Sequence, residues 1–520
     1  VVFRLYAPNA KDVSVIGSWN NWDVTAHKLN KIDDSGVWEI FIPKLKEYSD
    51  YKFHFKNASG KYVDKADPFA FFSALPPETT SRLFDIKNFI WHDENWIKAR
   101  NRNFDKPMSI YEIHLGSWKG KVDGRFLSYE EIANELIPYL KEHGYTHCEI
   151  MPLCQHPFAG SWGYQATGFY SIDSRYGNPK QLMSLVDRLH QEGIGVIVDF
   201  APVHFAIDKW ALINFDGTPM FEYSDPKHRF SPWGSAQFDL GKDPVRSFLM
   251  SAMNYFLTYF HMDGIRIDAV SNIIFWDGNK TKGENKGATD FIKRLNYKLH
   301  DRHPSIMTIA EDSTDFQNVT KPIEYGGLGF DYKWDLGWMN DTLKYYGLDP
   351  IYKKYEHNKI TFSMAYFYSE NFMLPLSHDE VVHMKGSMIN KMPGEYNQKF
   401  ASLKSYYTYM LTHPGKKLLF MGGEIGQFRE WNELKELDWS VLSYDTHKGL
   451  KKYLERLNHF YKENPSLYEN EKNWDGFRWL SVDDKDHNVL AYERTSFKGE
   501  KVITILNFSY CEWFNYEIHN

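Results

Sequence analysis

The chain has 520 residues, of which 42% are hydrophobic and 25% charged, with a formal net charge of −7. That length exceeds one ordinary domain, and the acidic balance argues against a nucleic acid or an anionic membrane surface as partner. No run of about 18 apolar residues predicts a membrane helix, and "VVFRLYAPNA" at the start shows no signal-peptide pattern.

Residues 1–95 are expected to form a β-sandwich. "VVFRLYAP", "DVSVIGSW", "GVWEIFIP" and "YKFHFKN" are short alternating or aromatic runs, divided by the turn clusters "APNAKD", "DDSG" and "NASGK". Aromatic residues reach 17% of the chain, including 17 Trp, 34 Tyr and 37 Phe. Part of this is core, and part suits flat sugar rings. Trp19 and Trp22 in "GSWNNWD" suit local packing or a sugar-binding platform equally.

From residue 105 to 434 the rhythm becomes strand, helix, strand, helix. Strands are expected at 108–116, 146–154, 193–202, 264–270, 307–312, 328–334, 371–378 and 416–423. "SYEEIANELIPYLKEHG" opens on the capping box Ser128 and Glu131, with Ile132, Leu136 and Leu140 on one face. "NPKQLMSLVDRLHQEG" has Asn178 as N-cap, Pro179 at the first helical position and Gly193 just past the end. Eight such repeats predict an α/β fold, a (β/α)8 TIM barrel, with a long insertion beginning "HFAIDKW" after the third strand. An open doubly wound sheet is the alternative, weakened because no Gly-rich phosphate loop follows a strand. Residues 435–520 hold a helical stretch and then strands such as "NVLAYERT" and "KVITILNFS". These predict a partial, truncated C-terminal all-β domain. Only three cysteines occur. Cys148 and Cys154 lie roughly 20 Å apart along an extended chain, too far for a disulfide, so a reduced, cytoplasmic protein is expected.

Polar groups gather at the expected strand exits, where such barrels place their active sites. Asp199 and His204 follow the third strand, Arg266 and Asp268 lie on the fourth, Glu311 on the fifth, and His378 with Asp379 on the seventh. Trp162 and Tyr164 come from the loop after the second. Strand alternation puts Arg266 and Asp268 on the inward face, with Ile265 and Ile267 turned to the helices. An isolated Arg-x-Asp suggests a structural ion pair. Three carboxylates on neighbouring strand ends suit retaining glycoside chemistry instead, with one as nucleophile and one as acid/base. A metal site is the competing reading of clustered Asp, Glu and His.

The segments "DFAPVHFA", "GIRIDAV", "TIAEDST" and "LPLSHDEVV" resemble the four signature regions of the α-amylase superfamily, glycoside hydrolase family 13. "HPFAGSWGYQATGFY", "GGLGFDYKWDLGWMND" and "SHDEVVHMKGS" are similar to the branching enzymes within it. The first 95 residues resemble a family 48 carbohydrate-binding module. The resemblance implies Asp268 as nucleophile, Glu311 as general acid/base and Asp379 as the third carboxylate, which holds hydroxyls of the reacting sugar. It further implies Arg266 as the residue positioning Asp268, His204 and His378 as hydroxyl binders, Tyr164 as the stacking aromatic and Asp199 as a support. Trp162 is expected to bind substrate too. Val203 stands where many amylases carry an Asn for calcium, so no metal and no cofactor are expected. Gln155 and Met384 depart from the usual Glu and Gly. The implied activity cleaves an α-1,4-glucan (glycogen, amylose) and transfers the segment to a 6-hydroxyl, in a monomer with no nucleic-acid or membrane partner. A debranching or trehalose-releasing hydrolase with the same N-terminal module is the alternative, followed by a non-catalytic glucan-binding protein.

Overall fold

In the computed structural model, which describes residues 1–120 and 124–518, the apolar runs of the middle region become eight parallel strands closed into a barrel. They are β1 (Ser109–Ile113), β2 (His147–Ile150), β3 (Gly195–Phe200), β4 (Gly264–Ile267), β5 (Met307–Ala310), β6 (Tyr332–Trp334), β7 (Phe372–Leu376) and β8 (Lys416–Phe420). Their order follows the chain, and β8 closes against β1. Every residue of β7 and β8 is buried, as expected for parallel strands covered on both faces.

Helices return the chain on the outside. Tyr129–Glu142 carries the expected capping box and buries Ile132, Leu136 and Leu140. In Pro179–Gln191, the Asn178 side chain accepts a 3.1 Å bond from the Gln181 N–H. The β5–β6 connection breaks the pattern. Among its described residues it holds only a 3₁₀ turn, Ile323–Tyr325, and no α-helix. Pro322 and the glycines of "GGLG" deny a helix both a continuous hydrogen-bond ladder and a favourable backbone entropy. Helix Asp445–Glu463, which the sequence pattern groups with the C-terminal strands, is bonded to the barrel. Its Tyr461 hydroxyl accepts from the Met108 N–H, and its Asn458 side chain accepts from Ser109 Oγ at 2.9 Å.

The barrel interior has two levels. The lower level is apolar, filled by Met108, Ile110, Ile197, Met307, Ile309, Tyr332, Met373 and Leu418. One strand step higher the inward positions are Glu112, Glu149, Asp199 and Arg266, all at most 1% exposed. The register pairs Glu149 with Glu112 and Asp199 with Arg266. On β1 to β4 the inward charges thus lie toward the end where the strands exit.

The N-terminal region forms a three-stranded and a five-stranded antiparallel sheet. Asp50–Lys56 alternates as expected, burying Tyr51, Phe53 and Phe55. The insertion after β3 docks this region. Lys65 Nζ donates to the carbonyls of Lys209, Ala211 and Ile213 at 2.7, 3.0 and 2.8 Å, and the Asp216 carboxylate accepts from Asn9. The chain ends in a three-stranded antiparallel sheet of Phe477–Ser481, Val489–Thr495 and Lys501–Asn507. No helix is long and apolar enough to cross a membrane among the described residues.

Candidate active site

Ile265 and Ile267 sit in the strand–helix core, so Arg266 between them points into the barrel and is 0% exposed. A buried guanidinium demands partners. Its Nη1 donates to both Asp199 oxygens at 2.9 and 2.8 Å and to Asp268 Oδ1 at 2.6 Å. The Trp334 ring lies 4.3 Å from its Cζ and closes the other side. Asp199 also accepts from the Tyr164 hydroxyl at 2.5 Å. Burial raises the Asp199 carboxyl, and Arg266 pulls it back. Asp199 therefore anchors the arginine, and Asp268 is the carboxylate presented outward, with an 18% exposed side chain.

The exit of β4 is strained. Ala269 has φ 51° and ψ 45°, a left-handed conformation that costs a non-glycine residue about 1–2 kcal/mol. The strain turns the chain so that the Ala269 N–H donates to Glu311 Oε2 at 2.8 Å, while the Val270 N–H bonds the Glu311 carbonyl. One sharp corner thereby brings the end of β4 against the end of β5. Burial, opposed by Arg266 and reinforced by Asp268 and Asp379, pushes the Glu311 carboxyl up to about 7. A carboxylic acid poised there can give and take a proton near neutrality.

His378 closes the β7 side. Its Nδ1 lies 2.5 Å from Glu112 Oε1, and its backbone N–H donates to Glu112 Oε2 at 3.0 Å. Its Nε2 faces the Tyr164 hydroxyl at 3.3 Å and Asp379 Oδ1 at 3.5 Å. Burial works against protonation, but Asp379 and Glu112 outweigh it and push the imidazole up to about 9. Asp379 is also subject to burial, yet His378 and Arg266 outweigh that and lower its carboxyl. Its side chain remains 51% exposed at the mouth. His204 behaves oppositely. Burial lowers its pKa, and its Nδ1 has no hydrogen-bond partner in the protein. A neutral ring carries one N–H donor and one acceptor nitrogen and is suited to a hydroxyl partner.

The structure thus gathers Asp199, Arg266, Asp268, Glu311, Tyr164, His378 and Asp379 into one connected group, with His204 close enough to interact with Asp268. Trp162 stands one step out. Its ring meets His378 edge-on at 5.7 Å and Trp431 at 5.0 Å, and its indole N–H reaches Glu433. Tyr164 stacks on His378 at 5.7 Å and 25°. Among the described residues no three His, Cys, Asp or Glu side chains converge as a metal ion would require. The two departures from the usual motif differ in kind. Gln155 is a buried linker whose Oε1 accepts from the Ser174 N–H. Met384 is 96% exposed with φ 65°, a conformation that favours glycine.

Three inward residues escaped the sequence reading: Glu112, Glu149 and Trp334. The two glutamates sit in "MSIYEIHLG" and "THCEIMPLC", each a lone charge in an apolar strand. That is the same signal that singles out Arg266. Trp233 was missed as well. It is 48% exposed, with its ring 5.1 Å from His204, at the tip of an insertion whose fold the sequence does not specify.

Residues 1–70 match the model for carbohydrate-binding module 48 (isoamylase N-terminal domain), and residues 132–225 match that for the alpha amylase catalytic domain. The chain is 48% identical over 520 residues to the 1,4-alpha-glucan branching enzyme GlgB of Geobacillus stearothermophilus, covering 99% of this chain and 81% of the relative. It is 47% identical to the enzyme of that name from Bacillus caldolyticus, covering 99% of this chain and 78% of the relative. Its fold matches the solved structure of a pullulanase from Bacillus acidopullulyticus with a TM-score of 0.75 at 16% identity, covering 98% of this chain and 68% of that one.

Proposed function

Since this chain belongs to the 1,4-alpha-glucan branching enzymes of glycoside hydrolase family 13, we propose that its barrel mouth cuts an α-1,4-glucan and rejoins the segment to a 6-hydroxyl. Asp268 is the nucleophile and Glu311 the general acid/base. The observation that carries this assignment is the division of labour between the two carboxyls. Asp268 is gripped by Arg266 at 2.6 Å, whereas Glu311 is pushed up to about 7. A site with those two groups side by side has its nucleophile and its proton donor ready at neutral pH.

In the first step Glu311 gives its proton to the glycosidic oxygen as the bond from C1 to that oxygen breaks. A carboxylate oxygen of Asp268 bonds to C1, and the trimmed glucan leaves with a free 4-hydroxyl. In the second step the 6-hydroxyl of another glucan loses its proton to Glu311 and attacks C1. The Asp268 ester breaks, and two inversions return the α configuration. Asp379, His378 and His204 hold hydroxyls of the reacting sugar. Tyr164, steered by Asp199, stacks on the sugar ring, and Trp162 lines the approach. Transfer dominates when an acceptor sugar is held in line for C1 and water is not.

The same reading assigns residues 1–95 to a carbohydrate-binding module, and the barrel with helix Asp445–Glu463 to catalysis. The substrate is glycogen or amylose, and no cofactor is needed. The three free cysteines support a reducing, cytoplasmic setting, and we take the working form to be a monomer.

Incubation with amylose, counting α-1,6 linkages by NMR beside reducing ends, tests the function. New linkages with little new reducing sugar are expected. Asp268→Ala should lower branch formation by about 10⁴-fold or more. Normal branching by that variant would overturn the assignment.

A further inference from the structure

Glu149 of β2 lies inside the barrel, because its neighbours Cys148 and Ile150 face the helix layer. It is 0% exposed, and neither carboxyl oxygen has a hydrogen-bond partner. The groups that face it are Glu112 from β1, Asp199 from β3, Arg266 from β4 and His378 from the end of β7. The same level holds the complementary vacancy in bonding. Arg266 Nε and Nη2 and the indole Nε1 of Trp334 are buried donors without an acceptor. An acid without a partner thus faces an arginine whose donors, and those of the indole packed on it, also lack partners.

An ionised Glu149 would add a negative charge beside Glu112 and Asp199, faced by the cations Arg266 and His378. A buried carboxylate with no bonded partner costs far more than the neutral acid. Burial, joined by the charges of Glu112 and Asp199, raises its pKa well above the usual range. The neutral acid still needs an acceptor for its O–H, and the arginine still needs acceptors for its free N–H groups. A buried water, bonded to two or more such groups, would meet both needs.

We propose that Glu149 is a neutral carboxylic acid which, through an internal water site shared with Arg266 and Trp334, positions the arginine that carries Asp199 and Asp268. Glu149 is a positioning residue and touches no substrate. Its catalytic consequence rests on Asp268 being the nucleophile, but its protonation state does not.

Infrared difference spectroscopy of the whole protein at pH 8, wild type minus Glu149→Gln, reads the protonation state directly. Loss of a carboxylic-acid C=O band is expected, and loss of a carboxylate band would overturn the proposal. The water is expected as ordered density between Glu149 and Arg266 in a high-resolution crystal structure, and a dry gap there would overturn it. In branching assays, Glu149→Gln should keep kcat within about 3-fold with an unchanged pH profile. Glu149→Leu should lower kcat by about 10-fold at nearly constant KM for amylose. Equal rates for the two variants, or a shifted pH profile in Glu149→Gln, would count against it. If wild type makes no branches, the functional assignment fails while the infrared result still decides Glu149. If the leucine variant does not fold, the glutamine variant and the spectrum carry the test.

Discussion

The two ends of the barrel both bury charged clusters, and they treat them in opposite ways. At the bottom, Asp263 accepts on both oxygens: from Trp96 at 2.9 Å and Arg100 at 3.2 Å on one, and from the Val196 N–H at 2.6 Å and His190 at 2.8 Å on the other. His190 spends its second nitrogen on Asp93, which also accepts from His261, each at 2.8 Å. At the mouth, Glu311, His204, Arg266 and Asp379 keep bonding capacity in reserve. The bottom cluster is saturated and binds the linker after the N-terminal sheets to the barrel. In the unsaturated cluster, Glu311 and Asp379 are left for a substrate's glycosidic oxygen and hydroxyls. Bonding left unused in a buried site, more than charge itself, separates chemistry from architecture here.

Removing the proton donor strikes the contrast hardest. Glu311→Gln should cut branch formation by about 10³-fold and leave thermal stability nearly unchanged, measured by linkage counting and by calorimetry. In the intact protein, Glu311 donates only while protonated. Activity should therefore fall as pH rises through about 7, and a flat profile there would contradict the assignment. At the bottom the effects should reverse. His190→Ala strands Asp93 and Asp263, and should cost about 3 kcal/mol of stability in denaturant titration, with branching per folded molecule retained.

The pH dependence of the bottom cluster follows from the same bonds. Burial opposes its charge, but Asp263 and Asp93 push the His190 imidazole up to about 9. Its contribution to stability is complete below the ordinary histidine value of 6.5 and is lost as pH rises through about 9. Asp93 and Asp263 are lowered despite burial, because their histidine partners outweigh it. Their contribution holds above the ordinary carboxylate value and fades as pH falls. The smallest effect is expected at the rim. Trp233→Ala should raise KM for amylose by about 10-fold, equivalent to about 1.4 kcal/mol of binding, with little change in stability. An unchanged KM would remove Trp233 from the substrate path.

Much of this was legible in the residues. The barrel followed from eight apolar runs separated by capped helices, and Arg266 stood out as a charge in a buried strand. Glu112 and Glu149 gave the same signal and were passed over. Neither resembled a known motif, and a lone glutamate in a strand does not say which charges will face it. Helix Asp445–Glu463 shows a related limit. Its own amphipathic pattern shows that it has a buried face, but not that Asn458 and Tyr461 on that face bond Ser109 and Met108, more than 300 residues away.

The chain by itself determined local matters: which segments are strands or helices, where they are capped, and which face of β4 carries charge. Those follow from periodicity and from side chains bonding their near neighbours. Only the closed barrel decided which carboxylate is gripped by Arg266 and which has its pKa raised. A pKa depends on burial and on charges brought in from other strands, and no stretch of sequence contains those distances.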